Sequence, residues 1–114
     1  GLWLVELKET GTPIGVCGLV VRDELEHPDL GYAFLKDSRG KGYAVEAARA
    51  VLAFVAENMD IPFLCAITHT ENVRSSGLLL KAGFAAKGQV YMAAYDDMSD
   101  YFVYEIKRGL SAAG

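Results

Sequence analysis

The chain has 114 residues and a mass of 12.3 kDa, one small domain's worth of sequence. Hydrophobic residues make up 52% and charged residues 23%, which excludes a disordered chain and suffices for one buried core. Eleven basic against fifteen acidic residues leave a net charge of −4, which argues against a phosphate-neutralising nucleic-acid surface. The richest apolar stretch, Ala50–Ala56, is far short of the ~18 residues a bilayer span needs. Gly1–Val5 has no basic flank and no long apolar region, so no signal peptide is expected there.

Leu2–Leu7 reads as a strand, Lys8–Pro13 as a turn and Ile14–Val21 as a second strand, together a hairpin. Arg22–Pro28 is polar and reads as a loop, and Leu30–Leu35 is a third strand. From Gly42 to Asn58 the period becomes helical: Glu46, Arg49 and Glu57 share one stripe. Ala44, Ala47, Ala48, Val51, Leu52, Phe54 and Val55 fill the remaining, buried face. Phe63–Thr68, after Pro62, reads as a buried strand. Asn72 as N-cap, Lys81 in the last turn and Gly83 just past it bracket a helix over Val73–Ala82. Gly77 inside that helix costs about 1 kcal/mol against alanine, which predicts a close packing neighbour. Phe84–Ala94 and Tyr101–Ile106 are the last strands, with the acidic run Asp96–Asp100 as the turn between them.

The order β-β-β-α-β-α-β-β predicts an α/β domain over residues 1–114: a mixed sheet with two helices, hairpins outside and a parallel crossover in the middle. No internal repeat, low-complexity tract or linker interrupts it. Cys17 and Cys65 lie in apolar runs and form no CxxC pair, so they read as buried reduced thiols, in keeping with a cytoplasmic protein. His27 and His69 are isolated, and no metal-ligand set is expected. Trp3 reads as core or interface, and Tyr91, Tyr95, Tyr101 and Tyr104 as sheet packing in the last hairpin. Asp96, Asp97 and Asp100 read as a solvated turn.

The segment Phe34–Ala44 carries the chemistry. A strand ends, a basic turn holding Gly40 and Gly42 follows, and a helix begins. Unpaired amides at a helix N-terminus carry about half a positive charge, and glycines let an anion approach the backbone. Lys36, Arg39 and Lys41 add cationic charge to an otherwise acidic chain. A phosphate-bearing ligand is therefore expected at the first turn of this helix. It is not a Walker loop: Leu35 stands five before Gly40, and Gly42 follows Lys41 where serine or threonine is needed. It is not a dinucleotide fingerprint either, since Val45 stands where the third glycine belongs.

The pattern Arg39-x-x-Gly42-x-Ala44 resembles the acyl-CoA pyrophosphate loop of the GNAT N-acetyltransferase superfamily. Asn72-Val73-Arg74-Ser75 followed by Leu78-Leu79-Leu80-Lys81-Ala82-Gly83-Phe84 is similar to that superfamily's N-x-x-S…L-L-x-K-x-G-F pattern. Asp29-Leu30-Gly31-Tyr32 and Tyr43-Ala44-Val45-Glu46-Ala47 add further likeness, nearest to the ribosomal-protein-alanine N-acetyltransferase branch. The resemblance implies acetyl-CoA as cosubstrate and direct transfer of its acetyl group to a primary amine, on a protein N-terminus or a small molecule. It implies that the backbone of Arg39, Gly40, Lys41, Gly42, Tyr43 and Ala44 holds the pyrophosphate. The strand Tyr32-Ala33-Phe34-Leu35 would splay from Phe63–Thr68 and pair with the pantetheine arm, and Asn72 would hydrogen-bond that arm.

Many members of the superfamily donate a proton to the leaving sulfur from a tyrosine seven residues after the asparagine. Here that position is Leu79, and Ser75 is the implied donor instead. Asp29 and His27 are the candidates for a base acting through water. The resemblance also implies a further strand and helices ahead of Leu2. Without them the chain is a fragment, a naturally short member, or a subunit that borrows cover from a partner. The apolar sheet surface left open then predicts a homodimer. Two rivals to an enzyme stand beside it: a non-catalytic CoA-binding module, and a truncated domain with an interaction or structural role.

Overall fold

A computed structural model describes residues 1–107. Strand β1 (Leu2–Glu6) and strand β2 (Pro13–Val20) form the expected hairpin. The Leu7 amide closes it by donating to the Thr12 carbonyl at 2.9 Å, and Gly11 supplies the left-handed residue of the turn. Strand β3 (Asp29–Phe34) pairs antiparallel with β2, and helix α1 (Tyr43–Asn58) crosses over to strand β4 (Phe63–His69). Helix α2 (Val73–Ala82) leads to strands β5 (Ala85–Met92) and β6 (Asp97–Glu105). The six strands form one mixed sheet in the order β1-β2-β3-β4-β6-β5, with β6 inserted between β4 and β5. The fold class, the element order and the splay of β3 from β4 agree with the sequence.

Both helices cover one face of the sheet. Ala48, Val51, Leu52 and Val55 of α1, with Leu79 and Ala82 of α2, pack onto Cys17, Leu19, Leu30, Leu64, Ala66 and Phe102. Strand alternation sends Cys65 to the other face, where it joins Leu25 and Met92 in a smaller cluster. Asn72 and Gly83 delimit α2 as predicted. The Asn72 side chain accepts from the Ser75 amide at 3.0 Å, and Gly83 ends the helix in the left-handed region at φ 106°.

Four expectations change. The turn of the last hairpin is Ala93–Asp96, with Asp96 at φ 50°, and the acidic residues after it belong to β6. Asp97 pairs with Met92, and Ser99 and Asp100 are held between β5 and β4, so ladders on both sides override the low strand propensity of aspartate. Phe54 lies 43% exposed, edge-on to Trp3 at 5.2 Å, because α1 turns its buried face through Val51 and Val55. Tyr91 and Tyr95 are half exposed, whereas Tyr104 packs on Phe84 at 5.3 Å and Tyr101 on the second cluster. No atom outside α2's own backbone and the flanking residues lies within 4 Å of a Cβ placed on Gly77, because the helix packs through Leu79 and Ala82 instead.

Two glycines therefore respond oppositely to alanine. A Cβ at Gly18 would sit 2.2 Å from the Gly1 carbonyl oxygen and 2.8 Å from the Leu2 Cα, both backbone atoms at the start of β1 or just before it. Gly18→Ala is expected to cost about 1–3 kcal/mol by forcing the β1–β2 pair apart. Gly77→Ala is expected to gain roughly 0.5–1 kcal/mol of helix stability. Urea denaturation of both variants checks the pair, and equal signs would refute it.

Candidate functional site

The site is built on a gap in the sheet. Parallel β3 and β4 are joined at a single register pair, Asp29 opposite Cys65, reinforced by the Cys65 amide donating to the Pro28 carbonyl at 2.9 Å. Beyond that point the two strands diverge, and their facing edges form no further ladder. A strand edge without a ladder presents amides and carbonyls to whatever enters the gap.

At the open end of β3 the chain makes a short 3-10 turn, Lys36–Ser38, and then passes Arg39 in extended conformation. Gly40 and Gly42 both take left-handed φ, 78° and 83°, with nothing within 4 Å of a Cβ at either. Gly42 is the N-cap of α1, and its carbonyl accepts from the Glu46 amide at 3.1 Å. No side chain caps this helix, so the amides of Tyr43 and Ala44 project from its first turn. Alternating left-handed glycines and an uncapped helix start form a concave amide surface suited to a phosphate. Arg39 ties this loop to β3 through its Nε, which donates to the Phe34 carbonyl at 3.3 Å.

Two hydroxyls meet on the helix side of the gap. Tyr32 stands opposite Cys17 in the β2–β3 ladder, on the face that α1 and α2 cover. Its hydroxyl is hydrogen-bonded to that of Ser75 in the first turn of α2. Ser75 is fixed from behind, its amide donating to Asn72 Oδ1, which leaves the Asn72 NH₂ group as a free donor in this arrangement. Burial raises the Tyr32 phenol above its ordinary range, and its hydrogen bond with Ser75 opposes that shift. Leu79 is fully buried, one full turn deeper in the core.

Asp29 occupies the vertex of the gap on the opposite face. It is 2% exposed, and Arg22 Nε donates to its Oδ2 at 2.8 Å. Its Oδ1 is buried with no partner. Burial raises the Asp29 carboxyl above the usual aspartate range; the Arg22 guanidinium opposes the shift and does not cancel it. His27 is turned elsewhere: its ring tilts against Phe63 at 5.2 Å, and its carbonyl accepts from Cys65 Sγ at 3.2 Å. The structure thus places Asp29 at the vertex, Ser75 and Asn72 on one wall, and the glycine loop at the mouth.

Composition and spacing do not single out Arg22, which reads as one more charge in a polar loop. Its role becomes visible when the 21–28 loop folds back. Glu24 Oε2 accepts there from the Ala93 amide at 3.1 Å, clasping the loop to the β5–β6 turn. The Thr68–Ser76 hydroxyl contact at 3.3 Å is likewise unforeseen, since Thr68 points to the helices only because of β4's register. Cys17 and Cys65 are both free and buried, and burial pushes each thiol up to about 11. A groove of about 600 Å³ lies elsewhere, between β1 and α1, lined by Trp3, Val5, Ala47, Val51 and Phe54. Among the described residues no helix is long and apolar enough to cross a membrane.

The fold is shared with solved acetyltransferases. An acetyltransferase from Agrobacterium tumefaciens superposes with a TM-score of 0.80 at 24% identity, over 91% of this chain and 60% of that one. The ribosomal-protein-S5-alanine acetyltransferase from Vibrio fischeri superposes at 0.79 and 17% identity, over 93% of this chain and 61% of that one. The aminoglycoside acetyltransferase AAC(6')-Ib, solved with coenzyme A and kanamycin, superposes at 0.78 and 20% identity, over 91% of this chain and 65% of that one. In sequence, the Bacillus subtilis (strain 168) protein YkkB is 34% identical over 85 residues, 72% of this chain and 49% of that protein. The N-acetyltransferase YoaA of the same organism is 25% identical over 100 residues, 87% of this chain and 56% of that protein. The chain spans about half the length of these curated relatives. The family model described as "Acetyltransferase (GNAT) domain" matches residues 1–85, from the first hairpin through α2, and the chain belongs to that GNAT acetyltransferase family.

Proposed function

We propose that the chain binds acetyl-CoA and transfers its acetyl group to a primary amine by direct attack in a ternary complex. The observation that carries this reading is the gap between β3 and β4, with a glycine-shaped amide surface at its mouth and Asp29 at its vertex. In this reading the loop Arg39-Gly40-Lys41-Gly42-Tyr43-Ala44 holds the pyrophosphate by backbone amides. The pantetheine arm runs along Tyr32-Ala33-Phe34-Leu35 and pairs with the open edge of β3. The Asn72 NH₂ group donates to that arm, since its Oδ1 is engaged by Ser75. The thioester then lies between Ser75 and Asp29. Ser75 protonates the departing sulfur, and the unpartnered Asp29 Oδ1 takes the amine's proton, directly or through water. His27, packed on Phe63, is the less favoured base.

The acceptor is an amine on a protein N-terminus or on a small molecule. The kanamycin complex of the aminoglycoside acetyltransferase supports the amine class. The two buried, free thiols support a cytoplasmic setting. A homodimer belongs to the same proposal. Edge strand β1 shows Leu2 and Leu4 more than half exposed, and Trp3 and Phe54 line the adjoining groove. Apolar surface of this kind is ordinarily covered by association. Sedimentation at micromolar concentration should show a dimer, and a strict monomer would remove this part of the proposal.

Calorimetry with CoA and acetyl-CoA tests the cofactor site. Gly42→Val places a β-branched residue at φ 83°, in the region such residues avoid, and fills the amide surface. We expect at least tenfold weaker CoA binding (about 1.4 kcal/mol) with the fold retained. Binding without turnover of any amine would identify the non-catalytic module, and no binding in the folded parent would leave the structural alternative.

Asp29 predicts two pH effects. Its raised carboxyl pKa puts the acidic limb of kcat/KM above the usual aspartate value of about 3.9, and Asp29→Asn should abolish that limb. Because the folded state binds this proton more tightly than the unfolded chain, Asp29's contribution to stability is greatest below about pH 4 and falls as pH rises through its folded value. Denaturation at several pH values should therefore show Asp29→Asn gaining on the parent as pH rises. A variant that loses ground to the parent as pH rises would contradict the assignment.

A further inference from the structure

We propose that Tyr32 is a positioning residue for departure of the thiol, acting through Ser75. The inference rests on the acetyl-CoA reading above and adds to it a second residue from a different element. Tyr32 sits on β3 and Ser75 on α2, and their hydroxyls are hydrogen-bonded across the helix side of the gap. Both groups project from ordered parts of the fold. The Tyr32 ring packs against the main core, and Asn72 Oδ1 holds the Ser75 amide at 3.0 Å.

Chemistry sets the direction of the bond. A phenol is a far stronger acid than an aliphatic hydroxyl, so Tyr32 donates and Ser75 Oγ accepts. A serine hydroxyl has one proton and two acceptor positions. With one acceptor position filled by Tyr32, its own proton is turned away from the tyrosine and toward the gap between the strands. Without Tyr32 that proton is free to rotate. Burial keeps the phenol protonated through the neutral range, so the donor is constantly present.

The proton inventory closes. The amine nitrogen forms its bond to the thioester carbonyl carbon and loses one proton to Asp29 and then to water. The carbon–sulfur bond breaks, and the sulfur takes its proton from Ser75 Oγ. Ser75 recovers a proton from the Tyr32 hydroxyl, and Tyr32 recovers one from water. One proton leaves the amine, one arrives on sulfur, and both hydroxyls end as they began.

The test needs no acceptor. CoA itself is titrated on the full chain, reading the far-ultraviolet thiolate band against protein loaded with acetyl-CoA, which has no thiol. A hydrogen bond from Ser75 to the thiolate raises the ionisation constant of bound CoA over that of free CoA. Tyr32→Phe keeps the ring and removes only the donor, and should lower that constant about threefold to tenfold. Its calorimetric affinity for CoA at neutral pH should change less than twofold. Ser75→Ala should lower the constant at least as far, and adding Tyr32→Phe to it should change nothing more. Ser75→Thr should restore the parent value, which separates the hydroxyl's role from a packing effect.

An unmoved ionisation constant in Tyr32→Phe overturns the proposal. So does a full Tyr32→Phe effect in the Ser75→Ala background, which would mean that Tyr32 acts alone. CoA failing to bind the folded parent brings down the acetyl-CoA reading itself, and this proposal with it. Calorimetry on the parent distinguishes that failure from the other two.

Discussion

Two parallel strands that meet once and then part govern everything else in this molecule. Asp29 and Cys65 share the single bridge between β3 and β4, and the sheet is continuous on either side of it. A gap inside a sheet exposes backbone groups that would otherwise be paired, which is tolerable only where water or a ligand can satisfy them. The surrounding structure compensates. β2 holds β3 through a six-residue antiparallel register, and β6 holds β4 through seven. Each side of the gap is thus a stiff antiparallel unit. The helices α1 and α2 bridge both units from one face through a shared apolar core.

The electrostatics follow the same division. The chain is acidic overall, yet the mouth of the gap gathers Lys36, Arg39 and Lys41 around two left-handed glycines and an uncapped helix start. At the vertex the sign reverses. A nearly inaccessible carboxylate is held by one guanidinium, with one oxygen left over. Removing a carboxylate from water is expensive, and a single partner does not fully offset it. A ligand that is anionic at one end and presents a nitrogen at the other would find complementary surroundings at each end of the gap.

The sequence made the local features legible and left the long-range ones hidden. Helix α2 was predictable to the residue because Asn72, Lys81 and Gly83 act within one turn of the helix ends. The glycine loop was legible because left-handed glycines and a helix start are local chemistry as well. What could not be read depends on which strand lies beside which. Asp97–Asp100 looks like a turn until β4 and β5 are seen to sandwich it. Phe54 looks like core until α1's contact angle is known, and it then proves to be a half-exposed ring set edge-on against Trp3. The Arg22–Asp29 and Tyr32–Ser75 contacts join residues seven and 43 positions apart, and composition gives no sign of either. The family resemblance points to Ser75 and Asp29; their neighbours Tyr32 and Arg22 come to them only through the fold.

Cys65, the residue across the vertex from Asp29, has a chemical meaning of its own. Under the proposed acetyl-CoA reading, a thiolate close to the thioester would be a competing nucleophile, and acyl exchange onto the protein would trap the acetyl group. Here burial lifts the Cys65 thiol to about 11, so it stays protonated at neutral pH. Its Sγ–H is also committed to the His27 carbonyl at 3.2 Å. A sulfur that packs like a small aliphatic group fills the vertex without reacting there. Under the proposed acetyl-CoA reading, an activated acyl group in the gap would lie beside a cysteine without a covalent detour through it.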